Sequence, residues 1–209
     1  MSKKEVLQKF HKETIATVAD RLFGKNGIEK TTMDDIAREA EYSKATLYVY
    51  FKSKDEIFYF IVLGYMKLHL EKITKALEST TDALQQYKAI CDELTLFSLQ
   101  HPRYYNFMTA TIAVDEKNRS EMSVLEEIYQ VGEMINDCSI CVLENGIKQG
   151  LVREDIDISL TVLLMAASIP GMIQWATNKE DYIKLRTGVS KNTFLEYCFD
   201  TLLKGILKD

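Results

Sequence analysis

Only two prolines and nine glycines interrupt the 209 residues of this chain, too few helix breakers to divide it into short elements, so long helices are expected. No β-branched or aromatic residues alternate strictly over four or more positions, and almost no sheet is predicted. The opening M-S-K-K-E-V-L-Q-K-F-H-K lacks the apolar core of a secretory signal. Four cysteines, Cys91, Cys138, Cys141 and Cys198, are scattered over helix-patterned segments and do not form a disulfide framework. A reduced, cytoplasmic protein follows from these two absences. The three histidines, His11, His69 and His101, stand apart from one another. With no G-x-S-x-G, P-loop, G-x-G-x-x-G or H-E-x-x-H present, no nucleophile–base–acid group can be assembled, and neither enzyme chemistry nor a cofactor is expected. The pair Cys138-x-x-Cys141 falls inside a helical pattern without a second ligand pair, so it reads as buried small side chains and no metal site is expected.

What is present is ordinary for a folded protein: 46% hydrophobic and 27% charged residues. The length suits one large domain or two small ones. The net charge of −5 is unevenly spread. Residues 1–54 carry 11 Lys+Arg against 8 Asp+Glu, and the remainder carries 15 against 23. A weakly basic head on an acidic body fits nucleic-acid contact confined to one end.

Hydrophobic spacing predicts nine helices. The first spans Glu5 to Gly24, with Ile15, Val18, Ala19 and Leu22 on one face and a stop at Gly24 and Lys25-Asn26-Gly27. Thr32, with Asp35 three residues on, caps the second; Ser43 caps the third, which runs from Lys44 to about Phe51; Ser53 with Glu56 forms a complete capping box for a fourth, to Glu78. Further helices are expected from Asp82 to Gln100, from Pro102 to about Val114, and from Glu121 to Gln149 with Gly150 as its C-terminal cap. The polar run Asp115 to Ser120 reads as a loop. Asp157 opens a strongly apolar helix to about Thr177, the stretch Asn178 to Ser190 reads as a mobile loop, and a last helix spans Lys191 to Leu207.

Residues Ile158 to Ala176 contain no charged residue over a length close to the ~20 needed to cross a bilayer. Polar residues are spread around this helix and no Lys/Arg cluster flanks it, so it is expected to be buried on all sides, against its own core and against a second subunit. Pro170 removes the backbone bond to Ala166 and predicts a kink there. The last helix also has two apolar faces, which again implies an interface. For the dimer contact the candidates are Leu160, Leu164, Ala167, Gly171, Phe194, Tyr197, Thr201 and Leu202. Aromatic and methionine residues crowd the middle helices, and sequence alone does not separate cavity wall from core filling. The candidates for a ligand pocket are Tyr65, Phe97, Tyr104, Phe107, Met108, Tyr129, Met134, Met165 and Trp175.

Two short helices joined at Glu41-Tyr42 and followed at once by a capped third have the form of a helix-turn-helix, whose second helix enters the DNA major groove. The run T-T-M-D-D-I-A-R-E-A followed by S-K-A-T-L-Y-V-Y-F-K-S-K-D-E-I, with L-F-G-K-N-G-I-E-K ahead of it, resembles the DNA-binding domain of the TetR (tetracycline repressor-like) transcriptional regulators over about residues 10–58. The T-L-Y-x-Y-F-K-S-K core carries most of that resemblance. Beyond it only the pattern is similar: helix count, Asn145 to Asp157, and two apolar closing helices. The resemblance implies an all-α fold, a four-helix dimer bundle from the closing helices and an inducer pocket among the middle ones. Its domain division would be residues 1–52 for the DNA-binding head and 53–209 for the ligand-binding and dimerisation body. Glu41 stands where the family often has glycine, and Ala45 replaces another common glycine.

On that reading Lys44, Ala45 and Tyr48 reach base edges, Lys44 by donating to guanine and the other two by apolar contact with a thymine methyl. Thr46, Tyr50, Lys52 and Lys54, with Thr32 and the Ser43 cap, hold phosphates and fix register, while Leu47 and Phe51 belong to the core. The partners expected are a pseudo-palindromic double-stranded DNA operator, a second copy of the chain and a largely apolar small-molecule inducer, with no membrane. The competing reading is a helical small-molecule-binding protein with a vestigial DNA-binding head.

Overall fold

The computed structural model describes residues 2–109 and 123–208, and among these it is helical throughout, without a strand. Ten helices follow in order: α1 Lys3–Asn26, α2 Met33–Glu39, α3 Lys44–Tyr50, α4 Lys54–Glu78, α5 Ala83–Gln100, α6 Pro102–Thr109, α7 Ser123–Lys148, α8 Ile158–Asn178, α9 Glu180–Thr187 and α10 Lys191–Lys204. They pack as two units. Among the described residues the first takes 2–65 and 123–129, and the second takes 66–109 and 130–208. The expected loop from Asp115 to Ser120 lies outside the described residues.

Local chemistry sets the ends of these helices. Ser2 caps α1 in a reciprocal box with Glu5. The helix does not stop at Gly24 but runs on to Asn26, where Gly27 adopts φ 83° and returns its N–H to the Phe23 carbonyl at 3.1 Å. Only glycine takes that backbone conformation without strain. The Ser53 cap is half of the expected box: its Oγ accepts from the Glu56 N–H at 3.1 Å, whereas the Glu56 carboxylate accepts from the Lys52 N–H at 2.6 Å. The side chain reaches one residue past the cap, so it satisfies a donor that lies outside the helix.

In the first unit α2 and α3 both pack on α1 and on each other. Ile15, Ala19 and Phe23 from α1 meet a core that includes Ile36, Leu47 and Phe51, all at most 2% exposed. Buried Ala16 and Phe23 complete the α1 face, while Val18 and Leu22 are half-buried at its edge. Phe23 and Phe58 meet edge-on at 6.1 Å, a favourable arrangement of the ring quadrupoles.

In the second unit α8 packs against α5, α6, α9 and α10. By length and composition it could cross a membrane, yet Val162, Met165, Ile169, Ile173 and Ala176 are buried in the unit's core. The expectation that this helix is covered on every side does not hold within one chain: Leu160, Leu163, Leu164 and Trp175 are 65%, 60%, 52% and 45% exposed. The last helix divides its two faces as its spacing suggests, with Leu195 and Phe199 inward and Tyr197 and Thr201 outward. It ends at Lys204, before the expected Leu207.

The stretch expected as a mobile loop contains α9. Ile183 is its one buried residue, so no apolar stripe announces it. It packs on α8 and α10, with Glu180 and Asp181 in the first turn, Lys184 and Arg186 in the last, and Gly188 closing it at φ 76°. Those charges complement the helix dipole.

The end of the second unit is tied back to the α7–α8 junction. Asn145 and Gln149 donate to the Thr81 carbonyl at 2.9 and 2.6 Å. Gly146 lies against Val152, and a Cβ built there would come within 2.5 Å of the valine methyl. Val152 in turn makes an antiparallel bridge with Leu207, flanked by Arg153 N–H to the Ile206 carbonyl and Lys208 N–H to the Leu151 carbonyl, both at 2.9 Å.

Candidate nucleic-acid interface and ligand cleft

The turn between α2 and α3 has a backbone demand that the side chain does not suit. Glu41 sits at φ 59°, the one non-glycine residue with positive φ among the described residues. The conformation lets the Tyr42 N–H reach the Ala37 carbonyl at 2.9 Å and closes α2 tightly. Asp35 and Thr32 cap α2 reciprocally, with the Asp35 N–H on Thr32 Oγ1 at 3.2 Å and the Thr32 N–H on Asp35 Oδ2 at 3.1 Å. Hydrogen bonds from Thr32, and then from Arg38, hold the Asp35 carboxyl below the usual carboxylate range.

On α3 the heptapeptide K-A-T-L-Y-V-Y turns one residue wholly inward, Leu47 at 0% exposure, with Phe51 beyond it at 1%. Lys44, Ala45, Tyr48 and Val49 are exposed. Val49, 76% exposed, is absent from the sequence-based candidates. An apolar residue left in water beside Ala45 and Tyr48 is the signal that could have found it. Lys44 Nζ pairs with Asp34 at 2.7 Å on the surface. That hydrogen bond raises the ammonium's pKa and keeps it charged. An exposed pair of this kind contributes little stability.

The residues assigned to phosphates divide in kind. Ser43 Oγ accepts the Thr46 N–H at 3.0 Å and its hydroxyl meets that of Thr46 at 2.7 Å, so both help to start α3. Tyr50 is half-buried between His11, at 5.1 Å, and Tyr42, at 6.4 Å. Lys52 is exposed. Lys54 is half-buried, and its ammonium donates to the Ile28 carbonyl at 2.8 Å. It clamps the α1–α2 connector, with its remaining N–H groups available to a phosphate.

The candidates for a ligand pocket scatter. In the second unit a cleft of about 200 Å³ is lined by Met66, His69 and Ile73 of α4, Ile90 and Leu94 of α5, Met108 of α6, Gly132, Ile135, Asn136 and Ser139 of α7, and Met165, Ala166, Ile169 and Pro170 of α8. Of the nine sequence candidates only Met108 and Met165 are in it. Phe97 and Tyr104 are buried as core filling at 0% and 3%. Tyr65 lies in the first unit, where its hydroxyl donates to Asp20 at 3.0 Å. Phe107 is half-buried outside the lining. Tyr129, Met134 and Trp175 are 46%, 52% and 45% exposed; Met134 borders a separate surface groove, and Trp175 packs on Phe194 at 5.6 Å.

His69 is the residue that sequence reasoning passed over. It is 3% exposed, its ring lies 4.9 Å from that of Phe97, and its Nδ1 has no hydrogen-bond partner. Burial, with Lys72 one helical turn on, lowers its pKa from 6.5 to about 4, so the imidazole is neutral at physiological pH. The spacing Met66–His69–Ile73 put a histidine on an apolar helix face, which was the available signal.

The proposed dimer residues present a groove. Leu164, Tyr197, Thr201 and Leu202 line it together with Thr161, Met165, Met172, Cys198, Gly205 and Ile206. Leu160, Ala167 and Gly171 are exposed and Phe194 is half-buried. The cysteines are not all buried as expected: Cys91 is buried, Cys138 and Cys198 are half-buried and Cys141 is exposed. Cys141 borders the surface groove that Met134 and Cys138 also line.

Comparison with known proteins adds the following. Residues 15–59 match the family model of bacterial regulatory proteins, tetR family. The HTH-type transcriptional regulator YhgD of Bacillus subtilis is 28% identical over 154 residues, 74% of this chain and 78% of that protein. A TetR/AcrR-family transcriptional regulator from Thermobifida fusca superposes with a TM-score of 0.71 at 20% identity, over 93% of this chain and 97% of its own. The transcriptional regulator FadR of Bacillus subtilis, solved in complex with stearoyl-CoA, gives a TM-score of 0.70 at 16% identity, over 93% and 98%.

Proposed function

This chain belongs to the TetR family of DNA-binding transcriptional regulators, and from that membership we propose that it is a repressor released from a pseudo-palindromic operator by a small molecule bound in its second unit. The observation that carries the reading is α3 itself. Leu47 and Phe51 anchor it, while Lys44, Ala45, Tyr48 and Val49 are left in solvent with a capped, dipole-positive N-terminus beside them. Lys44 supplies a donor for guanine O6/N7, and Ala45, Tyr48 and Val49 supply apolar contact for a thymine methyl. Thr32, Ser43, Thr46, Tyr50, Lys52 and Lys54 position the helix on phosphates. On this reading the protein acts by binding, in the cytoplasm and away from the membrane.

The exposed leucines of α8 and the outer face of α10 support pairing of two copies. Exposed apolar area of this extent is uncommon on a monomer. A two-fold dimer would set its recognition helices on half-sites about one helical turn apart, ~34–36 Å. On this division of labour residues 1–52 read DNA and 53–209 bind ligand and dimerise. Helix α4, whose residues are shared between the two units, is the covalent route for the signal. A tenfold loss of DNA affinity needs about 1.4 kcal/mol of coupling. That a fold relative is solved with stearoyl-CoA supports a ligand-responsive reading.

The test is a gel-shift with DNA from upstream of the protein's own gene at fixed salt. Lys44→Ala and Tyr48→Ala should each weaken binding about tenfold to a hundredfold. Unchanged binding in both variants would remove the α3 assignment. A wild-type protein that binds no DNA but does bind small molecules would favour a helical carrier with a vestigial head.

A further inference from the structure

We propose that His11 of α1 is a positioning residue for the recognition helix: its imidazole holds both ends of α3 on one flank, and operator discrimination depends on that hold. The proposal rests on the reading of α3 as the element that enters the major groove.

His11 is half-buried in the first unit, where α1 packs on α3. Its Nδ1 lies 2.5 Å from the Tyr42 hydroxyl, a hydrogen bond that either imidazole tautomer can make. The same ring stands edge-on to that of Tyr42 at 5.6 Å and lies 5.1 Å from that of Tyr50. Tyr42 immediately precedes the Ser43 cap, and Tyr50 is the last residue of α3. One side chain of α1 therefore touches the chain just before the recognition helix starts and again where it ends. Tyr42 and Tyr50 also meet each other, at 6.4 Å, so the three rings close a cluster along the helix.

The buried anchors of α3 do a different job. Leu47 and Phe51 lie about one turn apart on the inward side, so they set how deeply the helix sits and oppose its roll only weakly. Roll matters for reading bases. A helix with its side chains is about 5–6 Å in radius, so a roll of about 10° carries the tips of Lys44 and Tyr48 about 1 Å sideways. Base-edge hydrogen bonds have little tolerance for such a shift. A phosphate contact through a long, exposed side chain such as Lys52 follows it. The ring cluster, off the line of the two anchors, is placed to resist the roll.

The same bond steadies the turn before α3. Tyr42 follows Glu41, whose φ is 59°, and a backbone conformation of that kind persists where its surroundings over-determine it. The Tyr42 N–H on the Ala37 carbonyl, at 2.9 Å, is one constraint. The His11–Tyr42 hydrogen bond is a second, made from a different helix.

Fluorescence anisotropy of the full-length protein tests this, with DNA from upstream of its own gene and a scrambled duplex of the same length and composition, each over a series of salt concentrations. His11→Phe keeps a ring against Tyr42 and Tyr50 and removes Nδ1. Tyr42→Phe removes only the hydroxyl, and decides the matter should His11→Phe lose its fold. Each should lower the ratio of upstream to scrambled affinity about three- to tenfold, the worth of one hydrogen bond. Affinity for the scrambled duplex and its salt dependence should stay as in the wild type, since no phosphate contact is lost. Because both substitutions break one bond, the double variant should lose no more than either single. An unchanged ratio in the single variants, an equal loss on both duplexes (the mark of a direct phosphate contact or a damaged head), or losses that multiply in the double variant would overturn the proposal. A wild type without preference for the upstream duplex would overturn the regulator reading with it, whereas a preference that survives in the variants refutes the role of His11 alone.

Discussion

His69→Leu should make the protein's stability less sensitive to acid. The folded imidazole titrates near 4, against an ordinary value of 6.5. Between those two values the unfolded chain binds a proton that the folded chain refuses, so acid favours unfolding. The penalty is absent above about pH 6.5, grows as the pH falls through the window, and levels off below about 4 at roughly 3 kcal/mol. At pH 5.0 it amounts to about 2 kcal/mol, against almost nothing at pH 7.5. Leucine has no such linkage. At pH 7.5 it also removes a buried nitrogen without a partner, so the variant should lie within about 1 kcal/mol of the wild type or slightly above it. Urea denaturation followed by circular dichroism at pH 7.5 and 5.0, at one protein concentration and one ionic strength, reads both effects. His11, His101 and every carboxylate are common to the two proteins and cancel in the comparison. A wild-type-minus-variant difference that stays constant to within about 0.5 kcal/mol between the two pH values would refute the burial argument.

Glu41→Gly should stabilise the first unit by about 0.5–1 kcal/mol, because glycine takes φ 59° without the strain of a Cβ and gives back part of that gain in chain entropy; a lowered urea midpoint would contradict it. Gly146→Ala should destabilise by about 1–2 kcal/mol despite alanine's better helix propensity, since its methyl would strike the stiff, buried Val152; thermal unfolding measures this, and a raised Tm would show that the junction yields. Leu164→Glu, placing charge at an exposed α8 position, should turn a dimer into a monomer in sedimentation velocity and weaken operator binding at a given protein concentration. A wild type that sediments as a monomer would dismiss the α8–α10 interface.

The helix starts were legible because each is decided within four residues: Thr32 with Asp35, Ser43 with Thr46, Asp82 with Gln85 and Asp157 with Leu160 all cap as their side chains allow. The inward turn of Leu47 and Phe51 follows from the same short-range spacing. Helix α9 was not legible, since a helix with a single buried residue has no periodicity to detect. The cleft was less legible still. Phe97 and Tyr104 fill the core while Met108 and Met165 face the space, a division settled by which surfaces of five helices meet and not by residue type. The demand made by the turn at Glu41 was visible as a departure from glycine, but its backbone angle required the folded chain.

The pairing of Val152 with Leu207, flanked by Arg153 and Lys208, bears on the order in which the protein is made. Residues about fifty apart in sequence must meet to finish the α7–α8 junction. On a ribosome, elements complete early in the chain can settle as they emerge, whereas contacts that close a long loop wait for both ends. The junction therefore cannot be sealed before residues 206–208 have emerged. A nascent chain stalled before residue 206 should carry an unsealed junction, and a chaperone that binds incompletely packed helices would find its longest opportunity there.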